Sequence, residues 1–297
     1  MVDVTKLLEK HGIAGRDGYG LRSSALQFPD GAHYRMEISG VHTVADMEAL
    51  VDECRKRRTP VHRVIAAGDG TNLLTSGELR QLARLGHEAG IEVIVIPGPR
   101  ANLDAGKHAH TDWGRFSGVR VRGTDSLGHF VADVFRSYEA GIRGFLFYGE
   151  DTLHLMQQMR SEGDFPTDTV FKVSYTQGVS NAVGARLLEQ LGADSINPVS
   201  DLTLPMLASI RAAVRITMDI VTISDKDLGL LNRFWEGPEL ARVCSPCYFK
   251  QEFAATQGGT REKVKYCEIM QEIVESRNPS LRLSGQGAKD LRVPVIA

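Results

Sequence analysis

The stretch from residue 170 to residue 222 constrains the fold more than any other part of this chain. Its three apolar runs alternate with two helical stretches, and a polar turn closes each run. This order predicts successive parallel strand–helix units, in which helices cover the sheet. Comparable units before and after it give eight predicted strands, at residues 34–39, 61–67, 91–97, 144–149, 170–175, 194–198, 215–222 and 240–249.

Eight strand–helix units predict a closed (β/α)8 TIM-type barrel with its functional site at the carboxyl ends of the strands. An open doubly wound sheet is the alternative, although no G-x-G-x-x-G motif opens the first helix to support dinucleotide binding. We expect a single domain, with an N-terminal lead-in at 1–30, the barrel at 31–276 and a C-terminal tail at 277–297. A long insertion at 98–125 follows the third strand, and we predict that it is a lid.

Composition and charge narrow the class of partner. The formal net charge of −2 at pH 7 gives no electrostatic reason to expect nucleic acid. No apolar run reaches the roughly 18–20 residues that cross a membrane, and the N-terminal residues are too polar for a signal peptide. We therefore expect a cytoplasmic protein with a small-molecule substrate. The C-terminal tail is a candidate contact for a homo-oligomer. Too few cysteines are present for a disulfide scaffold, so we expect reduced packing thiols at Cys54, Cys244, Cys247 and Cys267.

Ionisable residues alternate with apolar ones in strands that a barrel would bury. Glu37 in the first strand, Lys172 in the fifth and Asp219 in the seventh are predicted to face inward. Buried ionisable groups are costly unless they are paired or used. One interpretation is a structural network in which Lys172 pairs with Glu37 or Asp219. The other makes these three residues catalytic, with a desolvated Lys172 forming a Schiff base with a carbonyl or with plain acid–base chemistry.

Further polar residues lie near the predicted carboxyl ends of the strands and in the insertion. Those predicted to bind substrate are Arg100, Tyr148, Gln177, Asn197 and Lys250. Arg100 and Lys250 are suited to holding an anionic group. The cofactor is unknown from the sequence, and a divalent metal ion on Glu150, His108 and His110 is the alternative chemistry.

Two segments resemble a known family. They are similar to the collagenase-like peptidase family U-32, and the most distinctive similarity lies in residues 170–250. The two segments are VFKVSYTQGVSNAVGARLLEQLGADSINPVSDLTLPMLASIRAAV and LARVCSPCYFKQEF. The resemblance implies a (β/α) barrel and covers a range of activities, from peptidases to enzymes that modify RNA or quinones. The chain lacks the family's Glu-x-Phe-x-x-Gly signature with paired cysteines, so no cluster ligand or catalytic residue is carried over.

The residues and the resemblance leave three functions open. The leading prediction is a cytoplasmic TIM-barrel enzyme, a lyase or hydrolase that acts at a carbonyl of a small anionic metabolite. The second is a peptidase or a protein- or RNA-modifying enzyme of the U-32 type. The third is a non-catalytic barrel that serves as a partner subunit.

Overall fold

The parallel strands close into a barrel, as the sequence predicts. The computed structural model describes residues 3–11, 20–100, 106–112, 114, 119–224, 229–252 and 259–296. Strands β1 to β8 pair in sequence order, and β8 pairs with β1. This closed order confirms the (β/α)8 TIM-type barrel and excludes the open doubly wound sheet. Within the described ranges, no helix is long and apolar enough to cross a membrane.

The barrel strands are short and each is followed by at least one helix. The strands are β1 Tyr34–Val41, β2 Arg63–Ala66, β3 Glu92–Val95, β4 Gly144–Phe147, β5 Val170–Val173, β6 Ser195–Ile196, β7 Thr217–Ser224 and β8 Cys247–Glu252. The helices are α1 Val4–Lys10, α2 Val44–Arg57, α3 Ser76–Ala89, α4 Gly123–Glu139, α5 Glu150–Glu162, α6 Ala182–Gln190, α7 Leu204–Ala213, α8 Gly237–Cys244 and α9 Gly259–Arg277. Helices α2 and α3 begin with complete capping boxes, at Thr43 and Thr75.

The eighth strand begins later than predicted. Residues 240–244 belong to helix α8, which has Pro238 in its first turn, and β8 begins at Cys247. Short apolar–polar alternation in ELARVC fits a strand, but Leu240, Ala241, Val243 and Cys244 are all buried. A short helix packed on several sides loses the one-sided pattern that distinguishes it from a strand.

The predicted insertion at 98–125 is only partly described. Its described residues include a 3-10 turn, Lys107–His110, before α4 begins at Gly123. Residues 101–105, 113 and 115–118 of this insertion lie outside the described residues. Its role as a lid therefore stays a prediction.

The C-terminal tail packs across the amino-terminal end of the barrel. The Ser284 N–H donates to the Tyr34 carbonyl at 3.2 Å, and the Val295 N–H donates to the Gly141 carbonyl at 2.9 Å. Asp290 accepts two hydrogen bonds from Arg35, at 2.9 and 2.7 Å. These contacts come from the starts of β1 and β4, so the tail closes the end of the barrel opposite the carboxyl ends of the strands.

His62 joins this tail to β1 and makes stability sensitive to acid. Its Nδ1 accepts from the Met36 N–H at 3.0 Å, so Nε2 carries the proton and donates to the Ser284 carbonyl at 2.9 Å. Burial lowers the pKa of His62 from 6.5 to about 4. Between these values the unfolded chain binds the proton first, so folding stability falls as pH falls.

We therefore expect the free energy of unfolding to lose about 3 kcal/mol through His62 as the pH falls from 6.5 to 4. Urea unfolding at several pH values measures the slope of the free energy of unfolding against pH, in the parent protein and in His62→Gln. The glutamine amide offers a donor and an acceptor but cannot be protonated. The slope should be clearly smaller in the variant. Equal slopes in both proteins would contradict this role for His62.

Candidate active site

The three predicted catalytic residues meet in the centre of the barrel. The Lys172 ammonium lies 3.1 Å from Glu37 Oε2 and is also hydrogen-bonded to Asp219 Oδ2. All three side chains are fully buried. They come from β1, β5 and β7, and alternate strands of a barrel contribute side chains to the same interior layer. Strand alternation therefore brings a lysine between two carboxylates.

Arg63 and Glu92 complete this cluster and were missed by the sequence reasoning. Arg63 Nη1 donates to Asp219 Oδ1 at 3.2 Å and lies 3.4 Å from Glu37 Oε2, while its Nε donates to Glu92. The guanidinium also lies 3.8 Å from the centre of the Tyr248 ring. The sequence contains a signal for both residues, because Arg63 is the one charged residue in the apolar run of β2 and Glu92 is the one in the apolar run of β3. Applying the same alternation to those two strands would have found both.

Lys250 and Asn197 form the next layer toward the carboxyl ends of the strands. Asn197 lies two residues beyond Ser195, which pairs with Lys172, and Lys250 pairs with Val221, two residues beyond Asp219. The Lys250 ammonium donates to Asn197 Oδ1 at 3.0 Å, and the Asn197 amide donates to the Asp219 carbonyl at 2.8 Å. These bonds connect the two predicted binding residues to the central cluster.

The two lysines have opposite pKa shifts. Burial lowers the pKa of Lys172 despite the attraction of Asp219 and Glu37. Burial also opposes the charge on Lys250, but Glu252 and Glu37 outweigh it and raise that pKa. Lys172 is thus more easily converted to a neutral amine, whereas Lys250 stays a cation.

Glu37 combines a shifted pKa with an unused oxygen. Burial raises its pKa, with Lys172 acting against the shift and Asp219 adding to it. Its Oε1 is buried and has no hydrogen-bond partner among the residues that the structure describes. A carboxyl group with a raised pKa holds a proton more readily and can deliver it to a neighbouring atom.

The loops after β3 and β4 place Arg100 on the ring of Tyr148. The guanidinium carbon lies 4.7 Å from the ring centre, and Nη2 donates to the Gly68 carbonyl at 2.7 Å. Gln177 lies by contrast beside Glu150, whose carboxylate is bonded to Arg120 at 2.6 Å. Four of the five predicted binding residues therefore form two pairs, Lys250 with Asn197 and Arg100 with Tyr148. The fifth, Gln177, lies beside Glu150.

The predicted metal ligands are not brought together by the described geometry. His108 and His110 are exposed in the 3-10 turn after residue 106, and Glu150 is half exposed in its bond to Arg120. In the described part of the chain, no three His, Cys, Asp or Glu side chains form a group that could hold a metal ion. The metal site on these residues stays a prediction without geometric support.

The cysteines are free thiols that pack in the core. Cys244, Cys247 and Cys267 are fully buried, and Cys54 is partly buried. Burial raises the pKa of Cys244 to about 12 and the pKa of Cys247 and Cys267 as well. Neutral thiols of this kind are poor nucleophiles and poor ligands.

Comparisons with known proteins find low-identity likenesses to solved structures. No protein-family model matches the chain, and no curated protein matches its sequence. The chain is similar to thiamine phosphate pyrophosphorylase from Pyrococcus furiosus, at 11% identity and TM-score 0.48, over 82% of this chain and 98% of that one. It is similar to the YdjI aldolase from Escherichia coli K12, at 10% identity and TM-score 0.47, over 82% and 90% of the two chains.

A U32 peptidase is also among the similar structures. The U32 peptidase Mk0906 matches at 14% identity and TM-score 0.45, over 76% of this chain and 95% of that one. Likenesses at this level carry no argument about activity, and the neighbours include enzymes outside that family. Membership of U-32 therefore stays a prediction from the two sequence segments.

Proposed function

We propose that this chain is a lyase that acts on the carbonyl group of a small anionic metabolite, with Lys172 as the amine that forms a Schiff base. The observation that carries the proposal is a fully buried lysine whose pKa is lowered, held between Glu37 and Asp219 at the centre of a barrel. Schiff-base lysines are activated by desolvation of this kind.

The proposed step assigns a proton to each group. The Lys172 ammonium first passes a proton to Glu37, whose Oε2 lies 3.1 Å away. The neutral Lys172 nitrogen then adds to the carbonyl carbon, and one of its remaining protons moves to the carbonyl oxygen. Glu37, whose pKa is raised, donates a second proton, so the oxygen leaves as water and a protonated imine remains. The protonated imine then accepts the electron pair of the bond between the α and β carbons as that bond breaks. The departing fragment leaves as carbon dioxide, or as an aldehyde whose hydroxyl proton passes to the ionised Glu37. Protonation of the resulting enamine and addition of water release the product and restore Lys172. Asp219, hydrogen-bonded to Lys172, stabilises the positive charge on nitrogen.

The layer above this cluster supports the anionic part of the proposal. Lys250 keeps its charge, because its pKa is raised, and it lies one layer nearer to the carboxyl ends of the strands. We assign it, with Asn197, to the carboxylate or phosphate of the substrate. Arg100 has a buried Nε without a hydrogen-bond partner among the described residues. We assign it to a second anionic or polar group at the mouth.

Reductive trapping tests the proposed amine. Incubation with a 2-oxo acid such as pyruvate or with an aldehyde phosphate, followed by sodium borohydride, should add the reduced adduct to the peptide that contains Lys172. Mass spectrometry should show that Lys172→Met removes this label, whereas Lys265→Met, which changes a half-exposed lysine, retains it.

Other outcomes would favour the alternatives. Labelling confined to exposed lysines and unchanged in Lys172→Met would contradict the Schiff base. Cleavage of casein or gelatin by the purified protein would favour the peptidase that the U-32 resemblance implies. A stoichiometric divalent ion in elemental analysis would favour metal-assisted chemistry over the lysine.

A further inference from the structure

A cavity of about 490 Å³ lies between the ends of α2 and α3, away from the central cluster. Both helices end at the residues that lead into β2 and β3, so the cavity is at the amino-terminal end of the barrel. Its apolar lining includes Val51, Pro60, Ala89 and Ile91. A concave apolar surface of this size is typical of a small-molecule site.

Arg58, at the rim of this cavity, has a backbone conformation that favours glycine. It ends α2 with φ of 56° and ψ of 34°, in the left-handed region. The equivalent positions that end α3 and α5 in the same conformation are glycines, Gly90 with φ of 64° and Gly163 with φ of 88°. A side chain in this region is strained, and strain of this kind concentrates at functional sites.

The charges at the rim are unbalanced in favour of cations. The Arg58 side chain is exposed, and its guanidinium has no ion-pair partner among the described residues. Arg55, also at the rim, reaches only Asp52 at 3.9 Å, whereas Glu88 on the opposite side is already paired with Arg84 at 3.2 Å. The cavity thus combines an apolar floor with a free guanidinium at its edge.

We propose that this cavity binds a small amphipathic anion, with its carboxylate, sulfonate or phosphate group on Arg58 and its apolar body against Val51 and Ile91. The guanidinium fork suits the oxygen atoms of such a group. The strained backbone at Arg58 places this cation at the rim of an apolar pocket. The proposal is independent of the lyase assignment, since none of these residues has a role in the proposed lyase chemistry.

Anilinonaphthalene sulfonate is a suitable fluorescent probe, and N-phenyl-1-naphthylamine is the matched probe that lacks the sulfonate. We expect the protein to bind one equivalent of the sulfonate probe. Arg58→Gly should weaken this binding at least tenfold while raising the Tm by about 1–2 °C, because glycine relieves the strain. Arg58→Lys, which keeps the charge but loses the guanidinium fork, should bind more tightly than Arg58→Gly and more weakly than the parent. Ala89→Trp, which fills the cavity, should abolish binding.

The control is Val183→Ser, which removes an apolar side chain that is 79% exposed elsewhere on the barrel and should leave probe binding unchanged. Unchanged affinity in Arg58→Gly, or equal affinity of the protein for both probes, would overturn the proposal. A Tm that falls in Arg58→Gly would show that the side chain supports the fold instead and would overturn it as well.

Discussion

Replacing Lys172 by methionine is expected to abolish turnover and to lower the free energy of unfolding by about 3–5 kcal/mol. The substitution removes the amine that the proposed chemistry requires. It also leaves Glu37 and Asp219, both fully buried, with Arg63 as the remaining cation within 3.4 Å in the part of the chain that the structure describes. Breaking one partner out of a buried ion pair is costly because the other charge stays desolvated.

A double variant separates these two effects. Lys172→Met combined with Asp219→Asn removes a buried charge together with its partner, so we expect it to recover part of the lost stability but none of the activity. Urea unfolding of Lys172→Met, of Asp219→Asn and of the double variant gives the coupling energy, which is about 0.5–3 kcal/mol for residues in one network. Steady-state kinetics measures the activity of each variant. Lys265→Met is the matched control and should change stability by no more than about 0.5 kcal/mol.

A loss below about 1 kcal/mol in Lys172→Met, with the double variant no more stable than the single one, would contradict a charged buried cluster. Retained turnover would exclude Lys172 as the amine even if stability falls as expected. The two measurements therefore test the catalytic and the structural role of this lysine separately.

Strand alternation predicted the centre of the barrel because the period of a strand is two. Once Phe171 and Val173 are assigned to the helix side, Lys172 can only point inward, and the same rule places Asp219 and Glu37. Arg63 and Glu92 obey this rule too, but the apolar residues around them dominated the interpretation of their strands. The ion pairs themselves depend on which strands face each other, and that follows only from the closed barrel.

The tail and the eighth strand show where local pattern stops being sufficient. The polar, glycine-containing sequence after residue 277 has no periodicity that predicts its position. It is held by contacts with β1, β2 and β3, more than 190 residues away in sequence, such as the Gln286 amide bonded to the Val61 carbonyl at 2.9 Å. Helix α8 was mistaken for a strand because its eight residues are too few to establish a helical period.

Asp290→Ala is expected to lower the free energy of unfolding by about 3–5 kcal/mol, although Asp290 lies in this polar tail. Its carboxylate accepts hydrogen bonds from both terminal nitrogens of Arg35. The Arg35 side chain is 2% exposed, and its Nε donates to the Ser284 hydroxyl at 2.8 Å. Among the described residues, Asp30 at 3.8 Å is the one charged partner that the Arg35 guanidinium keeps without Asp290. Thermal and urea unfolding measure the loss, and Lys289→Ala, an exposed neighbour in the same tail, should lie within about 0.5 kcal/mol of the parent.

The double variant Arg35→Met with Asp290→Ala decides whether the buried charge causes this loss. If it does, removing both groups restores part of the stability, whereas equal loss in the single and double variants would indicate that Asp290 acts only by holding the tail.

The tail also reaches the central cluster directly, since the Arg292 N–H donates to Glu92 Oε1 at 3.1 Å while Arg63 holds the other oxygen of Glu92. A loosened tail should therefore displace Arg63 and, through Asp219, Lys172, so Asp290→Ala should reduce turnover even under conditions in which the variant is fully folded.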